Sequence, residues 1–279
     1  MKLNNMSKTN MLFKIHHIST QLFLNICMNI GGTILSALSN IGRLLIFIKQ
    51  VLSAIISKPF EFNLIYQQFL IIGFYSLPIV GFTALFSGAV LALQTYVGSS
   101  RFGAESTIPN IVVLSITREL GPVLAGLMVA GRTASSIAAE IGTMRVTEQI
   151  DALQMLGVNP LKQLVAPRII AGFLMLPILV YIADVIGIWG GYLVSVYKLN
   201  FNSANYLTNT IKYLNYMDVV SGLIKASVFG GIITTVGCFA GYTCDKGARG
   251  VGKAVITSVV HSSILILLFN YLLTALFFI

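Results

Sequence analysis

Residues 111–131 read IVVLSITRELGPVLAGLMVAG, and this stretch decides the fold class. A helix that crosses a membrane needs about 20 predominantly apolar residues, which this stretch supplies around one charged pair, Arg118 and Glu119. An α-helix is the structure that such a stretch adopts in lipid, because it satisfies its backbone hydrogen bonds within the segment. The sequence therefore predicts a membrane helix with two charges near its middle.

The composition of the whole chain supports this prediction. Of the 279 residues, 56% are hydrophobic and 10% are charged, and the mean hydropathy is +0.86. A soluble domain carries about a quarter charged residues. A soluble fold of this length cannot hide so much apolar surface, because its exposed shell must be solvated. The composition excludes a soluble globular protein.

Five stretches after residue 61 are long and apolar enough to span a bilayer. They cover residues 64–97, 106–131, 165–196, 214–242 and 254–279. Pro78, Pro122 and Pro177 lie within the first three, where we expect kinks whose freed carbonyl groups bind neighbouring helices. We therefore predict an all-α polytopic membrane protein with five transmembrane helices in a domain of residues 61–279.

Residues 1–60 form a segment of different character. Within it, apolar residues recur at alternating steps of four and three, at Ile34, Leu38, Ile41, Leu45 and Ile48. This spacing is typical of an amphipathic helix. We expect the helix to lie in the membrane interface with its basic side toward the lipid headgroups. A signal peptide is the alternative, because Lys2, Lys8 and Lys14 precede a moderately apolar run.

The distribution of basic residues predicts the orientation of the chain. With the N-terminus in the cytoplasm, the outer loops hold only Arg101, Lys198 and Lys212 of the 18 Lys and Arg residues. Basic residues concentrate on the cytoplasmic side of membrane proteins, so we expect the N-terminus inside and the C-terminus outside. The net charge of +9 then indicates contact with lipid headgroups. Nucleic-acid binding is excluded, since no basic run is interleaved with aromatic residues.

The charged pair at Arg118 and Glu119 indicates a functional site. Charge at this depth costs several kcal/mol unless it is paired or faces a wet cavity. Neighbours on a helix point about 100° apart, so each of the two needs a partner elsewhere. Other polar residues in or near the spans are Asp184, Asp218, Lys225 and Asn270.

We interpret these residues as a polar cavity that receives an anionic headgroup, with Arg118 and Lys225 as its cationic contacts. Leu91, Leu93, Tyr96 and Phe102 would then contact the acyl chains. A purely structural ion-pair network is the alternative interpretation.

A second charged cluster lies in the predicted cytoplasmic segment 132–160, at Glu140, Arg145, Glu148 and Asp151. At about 100° per residue, the three carboxylates fall toward one side of a continuous helix. Thr147 offers a cap for a helix break, so one helix or two remain open. We expect a docking helix for a soluble partner. A solvated loop helix is the alternative.

The sequence contains no catalytic set. Residues 247–253 read GARGVGK and fit half of a phosphate-binding loop, but Ala254 replaces the hydroxyl residue that would bind magnesium. Cys27, Cys238 and Cys244 lack the spacing of metal ligands, and His261 is isolated in the last span. We expect no cofactor, no enzyme activity and no ATP hydrolysis by this chain alone.

Several long motifs occur in a characteristic order. They are TRELGPVLAGLMVAGR at 117–132, AAEIGTMRVTEQIDAL at 138–153, NPLKQLVAPRIIAG at 159–172 and GIWGGYLV at 187–194. Together with the segments that follow, they resemble the MlaE (YrbE) family of permeases over roughly residues 60–279.

The resemblance implies a homodimeric permease of an ABC transporter that moves phospholipids between membranes. It implies two partners, a cytoplasmic ABC ATPase subunit and an MCE-domain lipid-binding protein on the outer side. It also implies a location in the bacterial inner membrane, with the plastid inner envelope as the alternative.

The resemblance also implies roles for residues. Glu140, Arg145, Glu148 and Asp151 would belong to the helix that couples to the ATPase, and the spans around Leu91, Arg118, Glu119 and Lys225 would line a lipid cavity at the dimer interface. Some relatives have an acid where this chain has Asn270, which weakens any role of that position in binding a headgroup or ion.

Two other functions remain as alternatives. A secondary transporter would show an internal repeat and coupling-ion carboxylates at mid-span, and the sequence shows no such repeat. A membrane scaffold of an envelope complex would tolerate replacement of Arg118 by alanine.

Overall fold

The computed structural model describes residues 28, 31–32, 35, 38–56 and 62–278, apart from the side chains of Phe102, Glu105 and Phe278. These residues are mostly helical, and none of them lies in a β-strand. The prediction of an all-α polytopic membrane protein is confirmed. The chain divides into two compact units between Gln50 and Val51, and the site described below lies entirely in the second.

Six helical segments of the described chain are long and apolar enough to cross a membrane. They are Leu38–Ile56, Phe62–Ser99, Ile108–Val146, Leu161–Tyr197, Tyr216–Tyr242 and Ala248–Phe277. The last five correspond to the five predicted spans. Leu38–Ile56 is the additional one, and it falls where we predicted an interfacial helix. Length and composition admit a crossing there, so the interfacial position stays a prediction.

The first three spans contain six helices. Helix α1 is Leu38–Ile56. Helices α2 (Phe62–Ile72) and α3 (Leu77–Ser99) are joined by a 3₁₀ turn at Phe74–Ser76. Helices α4 (Ile108–Ser115), α5 (Gly121–Val129) and α6 (Ser135–Val146) form one continuous rod through π-helical turns at Ile116–Leu120 and Ala130–Ala134.

Five helices complete the second unit. The short helix α7 (Gln149–Met155) follows the rod on the predicted cytoplasmic side. A π-helical turn at Leu161–Val165 leads into α8 (Ala166–Tyr197), and α9 (Ser203–Tyr213) connects α8 to α10 (Tyr216–Tyr242). Helix α11 (Ala248–Phe278) ends the described chain.

Irregular turns precede two of the three prolines at which we predicted kinks. Pro78 lies in the first turn of α3 after the 3₁₀ turn, and Pro122 lies in the first turn of α5 after the first π-helical turn. Proline is tolerated in the first turn of a helix, where its missing N–H would have no intrahelical partner, so α3 and α5 begin at these two positions. Pro177 lies inside α8, where it removes one helical hydrogen bond without ending the helix.

Helices α5, α8, α10 and α11 share the main core. Buried residues from all four meet in it, among them Ala125, Val129, Leu176, Val180, Phe229 and Ile266. Small residues such as Gly187 and Gly191, which have GxxxG spacing, let the backbones of α3 and α8 approach closely. A methyl group on Gly88 of α3 would overlap the backbone of Gly187.

Candidate functional site

The first π-helical turn of the rod carries both charges that the sequence singled out. Arg118 and Glu119 each pair with α10, but with different residues. Arg118 donates to Asp218 Oδ1 from Nε at 2.8 Å and from a terminal nitrogen at 2.7 Å. Lys225 Nζ lies 2.8 Å from Glu119 Oε1. Asp218 and Lys225 are seven residues apart, so they lie on one face of α10 two turns from each other.

Lys225 is fully buried, and three acceptors surround its ammonium group. Besides Glu119, it donates to the carbonyl oxygen of Arg118 at 2.9 Å and to Thr274 Oγ1 at 2.8 Å. The carbonyl group of Arg118 is the one that would normally accept from residue 122, which is proline and has no N–H. The buried cation therefore satisfies both a carboxylate and a carbonyl group that the proline leaves without its helical donor.

Helix α11 completes the cluster from the other side. Asn270 Nδ2 donates to Glu119 Oε2 at 2.8 Å, and Thr274 Oγ1 contacts Glu119 Oε1 at 2.9 Å. These two residues are four apart and so share one face of α11. The side chain of Glu119 nevertheless stays 38% exposed, and that of Arg118 stays 36% exposed. The cluster therefore reaches the surface of the single chain at membrane depth.

The structure thus brings together four of the predicted residues, Arg118, Glu119, Lys225 and Asn270. It adds Asp218, whose pairing the sequence left unassigned, and Thr274, which sequence reasoning missed. The spacing of Asn270 and Thr274 on one helix face was the available signal. Lys225 differs from the expectation, because its ammonium group is buried among its three acceptors and touches no surface. The buried pair of Lys225 with Glu119 therefore fits the alternative interpretation, a structural ion-pair network, better than direct contact of Lys225 with a headgroup.

The predicted acyl-chain residues lie on α3 and beyond it. Leu91 and Tyr96 pack against a small core of Ala92, Ile108, Val112 and Ile116, and the ring of Tyr96 lies 6.0 Å from that of Phe201. Ile116 is the first residue of the π-helical turn that carries Arg118. Leu93 is partly buried, and the side chain of Phe102 lies outside the described residues. Leu91 and Tyr96 therefore pack against the core that contains the first residue of the charged turn.

Asp184 of α8 is a further polar residue against the same turn. It is 6% exposed, and its Oδ1 has no hydrogen-bond partner among the described residues. A methyl group on Gly121, the residue after the π-helical turn, would overlap this carboxyl group. The carboxyl group of Asp184 therefore occupies the notch that the missing side chain of Gly121 leaves.

The predicted cytoplasmic segment folds differently from a single loop helix. Helix α6 continues the rod, and its residues Ile137, Ala138 and Ile141 are buried. The chain then breaks at Thr147–Glu148, where Glu148 has a φ of 59°. A right-handed helix requires a negative φ at every residue, so the positive φ of Glu148 separates α6 from α7. The question of one helix or two is answered in favour of two.

The three carboxylates of this segment do not all lie on one side, so that prediction is wrong: Glu148 and Asp151 line one groove, and Glu140 does not line it. Glu140 lies 2.7 Å from the guanidinium of Arg168, which is almost fully buried at the start of α8. Asp151 instead turns back to Arg145, with 2.6 Å between Oδ1 and the guanidinium nitrogen. Glu148 is exposed at the break itself. The angles of a continuous helix do not apply across this segment, because the helix ends at Val146 and restarts at Gln149.

A groove of about 390 Å³ lies beside this break. Arg145, Glu148 and Asp151 line one wall, and Cys244, Asp245 and Lys246 from the α10–α11 connection line the other. Partial burial raises the pKa of the Cys244 thiol. Three of the four predicted coupling residues, Arg145, Glu148 and Asp151, therefore line one groove with Asp245 and Lys246 of the α10–α11 connection.

Helix α7 exposes an apolar tip that sequence reasoning missed. Met155 is 91% exposed and Leu156 is 77% exposed, whereas Ile150 of the same helix is fully buried. Ile150 therefore anchors the helix while its C-terminal end projects. Two adjacent large apolar side chains are thus exposed at the end of α7 on the predicted cytoplasmic side.

Comparison with known proteins gives consistent results. The family described as Permease MlaE matches residues 65–276. A probable ABC transporter permease protein of Rickettsia bellii is 59% identical over 92% of this chain and 99% of its own length. The intermembrane phospholipid transport system permease protein MlaE of Haemophilus influenzae is 39% identical over 81% of this chain and 88% of its own. The chloroplastic protein TRIGALACTOSYLDIACYLGLYCEROL 1 of Arabidopsis thaliana is 35% identical over 82% of this chain and 65% of its own.

Proposed function

The chain belongs to the MlaE permease family, and from that premise we propose that it is the membrane subunit of an ABC transporter that moves phospholipids between membranes. One observation carries the proposal. The rod of α4, α5 and α6 runs without interruption from the charged cluster at Arg118 and Glu119 to the cytoplasmic break at Glu148. A displacement of its cytoplasmic end can therefore reach the cluster through a single helix.

The energy source in this proposal is a separate ATPase subunit. Met155 and Leu156 form the apolar part of its docking site, and Glu148 and the Arg145–Asp151 pair form the charged rim. This division is typical of interfaces with an apolar centre and a polar rim. We expect no nucleotide site in the Gly247–Lys253 segment, because it is the turn and first residues of α11 and helix α10 precedes it.

A second copy of the chain completes the lipid site in this proposal. Arg118 and Glu119 are more than a third exposed at a depth where contact with acyl chains alone is costly. A homodimer that brings two such clusters together encloses a polar cavity between them. Arg118 then offers guanidinium N–H groups to a phosphate, and Lys225 holds Glu119 and the turn in place from inside.

The remaining partners follow from the same premise. An MCE-domain lipid-binding protein receives or supplies phospholipid on the outer side, and the complex resides in the bacterial inner membrane. The name of the Haemophilus influenzae relative, which specifies intermembrane phospholipid transport, supports the substrate class. The names of the Rickettsia relatives support the ABC transporter.

The experiment that tests the function is lipid analysis of the purified complex. The chain is co-expressed with its ATPase subunit, purified in mild detergent, and its bound lipid is identified by mass spectrometry beside Arg118→Ala. Arg101→Ala is the matched control, because it removes an exposed arginine outside the cluster. We expect phospholipid in the wild type and the control and its depletion in Arg118→Ala. Equal lipid in all three would contradict the lipid site and favour a scaffold.

A further inference from the structure

Helix α9 has a geometry that the transport proposal does not use. It connects α8, which ends at Tyr197, to α10, which begins at Tyr216, so it lies between the ends of two membrane spans on the predicted outer side. Its start is fixed by Asn202, whose side chain accepts N–H bonds from Ala204 at 3.0 Å and Asn205 at 3.3 Å. Such a cap stabilises a helix whose first N–H groups would otherwise have no partner.

One face of α9 packs against the rest of the second unit. Tyr206 is 2% exposed and Thr210 is 8% exposed, and they are four residues apart on this face. The ring of Tyr206 lies 5.7 Å from that of Tyr192 in α8 in an edge-to-face arrangement. The face of α9 that carries Tyr206 and Thr210 therefore packs against the rest of the second unit.

The two flanks beside this face have opposite chemistry. At about 100° per residue, Leu207 and Ile211 lie roughly 100–140° to one side of Tyr206. Asn205 and Asn209 lie about 60–100° to the other side by the same measure. Ile211 is 73% exposed, so the apolar flank is uncovered in the single chain.

The polar flank lines a groove of about 320 Å³, and none of the described residues that line it is charged. Asn202, Asn205, Thr208 and Asn209 contribute amide and hydroxyl groups, and the rings of Phe201 and Tyr206 lie beside them. Ser106, just before α4, and Pro109, in its first turn, also line the groove. Water or lipid headgroups satisfy these amide and hydroxyl groups, whereas acyl chains do not. The two flanks therefore require different surroundings on opposite sides of one helix.

We propose that α9 is an interfacial helix that lies flat in the outer leaflet, with its apolar flank among the acyl chains and its amide-lined groove at the headgroup level. A helix with opposite apolar and polar flanks binds the boundary of a bilayer in this orientation. The two spans that α9 connects end and begin at tyrosines, Tyr197 of α8 and Tyr216 of α10, whose side chains are largely exposed. Tyrosines at the ends of spans are typical of the membrane–water boundary.

The same position would set the depth of the charged cluster. Asp218 lies on α10 two residues after its start at Tyr216, so α9 precedes it directly in the chain. A helix fixed in the outer leaflet holds the start of α10 at one level. The inference rests on insertion of the chain in a membrane and not on lipid transport, so each can fail without the other.

Tryptophan quenching in vesicles tests this inference. The chain has one tryptophan, Trp189, so Trp189→Phe gives a background free of tryptophan. Ile211→Trp and the matched Asn205→Trp are made in this background as full-length chains. They are reconstituted in vesicles of phosphatidylethanolamine and phosphatidylglycerol, with and without lipid that carries a nitroxide near the top of its acyl chain. Leu207→Trp serves as a second apolar-flank probe if Ile211→Trp does not fold.

We expect the nitroxide lipid to quench the tryptophan at 211 several-fold more than that at 205. Iodide in the water should show the reverse order, and the emission of Ile211→Trp should be shifted to the blue. Equal iodide quenching at both positions would overturn the inference, because the flank would then face water. Protection of position 211 from both quenchers would overturn it too, because a protein surface would then cover the flank.

Discussion

The buried ammonium of Lys225 donates to the carbonyl oxygen of Arg118, which Pro122 leaves without its helical donor. Pro122 thus leaves the carbonyl oxygen of Arg118 free of its α-helical donor, and Lys225 of α10 donates to that oxygen instead. The same ammonium group binds Glu119, so the charge of the lysine is balanced within the cluster. Loss of either partner leaves a charge without compensation at membrane depth.

We expect Lys225→Met to destabilise the protein by about 3–5 kcal/mol, because it leaves the carboxylate of Glu119 without its cation. The double variant Lys225→Met with Glu119→Gln should lose less than the two single variants together, since it removes both charges. Thermal unfolding in detergent, followed by size-exclusion chromatography, measures the loss. Additive losses in the double variant would show that the two residues do not act as a pair.

The pair of Arg118 and Asp218 allows a stability role to be separated from a lipid role. Arg118→Ala leaves Asp218 buried without its cation, so it should lower the melting temperature. Adding Asp218→Asn removes the uncompensated charge and should recover much of that stability. If Arg118 contacts phosphate, the double variant stays depleted of phospholipid in mass spectrometry although it is stable. Recovery of the lipid together with the stability would assign Arg118 a structural role only.

The notch between Gly121 and Asp184 gives a steric prediction. Gly121→Ala places a methyl group on the carboxyl group of Asp184 and should cost about 1–3 kcal/mol. Gly131→Ala on the same rod is the control, because the added methyl group would have no atom within 4 Å beyond the neighbouring backbone of its own helix. Thermal unfolding should place Gly121→Ala well below this control. A second change, Asp184→Ala, should relieve part of the loss in Gly121→Ala.

The apolar tip of α7 predicts where the ATPase binds. Leu156→Ser should reduce the amount of ATPase that co-purifies with the chain, because a central apolar contact is lost. Gln149→Ser on the same helix changes an exposed polar residue and should leave the yield unchanged. The ratio of the two subunits on a stained gel is the measurement. The tip has no docking role if both variants retain the ATPase equally.

The position of α1 can be decided from the two termini. If Leu38–Ile56 lies in the interface, five crossings place the N-terminus inside and the C-terminus outside. If it crosses, the termini lie on the same side. Reporter fusions at each end, one active only in the cytoplasm and one only outside it, distinguish these outcomes. We expect opposite sides.

The positions of the five spans were predictable because the signal is local: a long apolar stretch shows itself in the sequence. The partners of Arg118 and Glu119 were not, because pairing depends on how α10 and α11 are rotated about their axes. Thr274 gave little warning, since a hydroxyl group in a span is ordinary and usually bonds its own helix. Thr147 indicated that the helix could break here, but the sequence did not decide between one helix and two. Glutamate rarely adopts the positive φ that Glu148 has at the break, so this residue type gave no signal for the turn.

The two π-helical turns of the rod each hold one residue more than an α-helical turn over nearly the same axial distance. Deleting one residue at Ile116–Leu120 would therefore convert the wide turn into an α-helical turn and leave the residues beyond it nearly in phase. Deleting one residue between Ser135 and Ala139 of α6 would instead rotate Glu140 by about 100° relative to Arg118. Glu140 would then no longer face Arg168. The rod should therefore tolerate the loss of a residue in its π-helical turns better than in the α-helical segments between its charged ends.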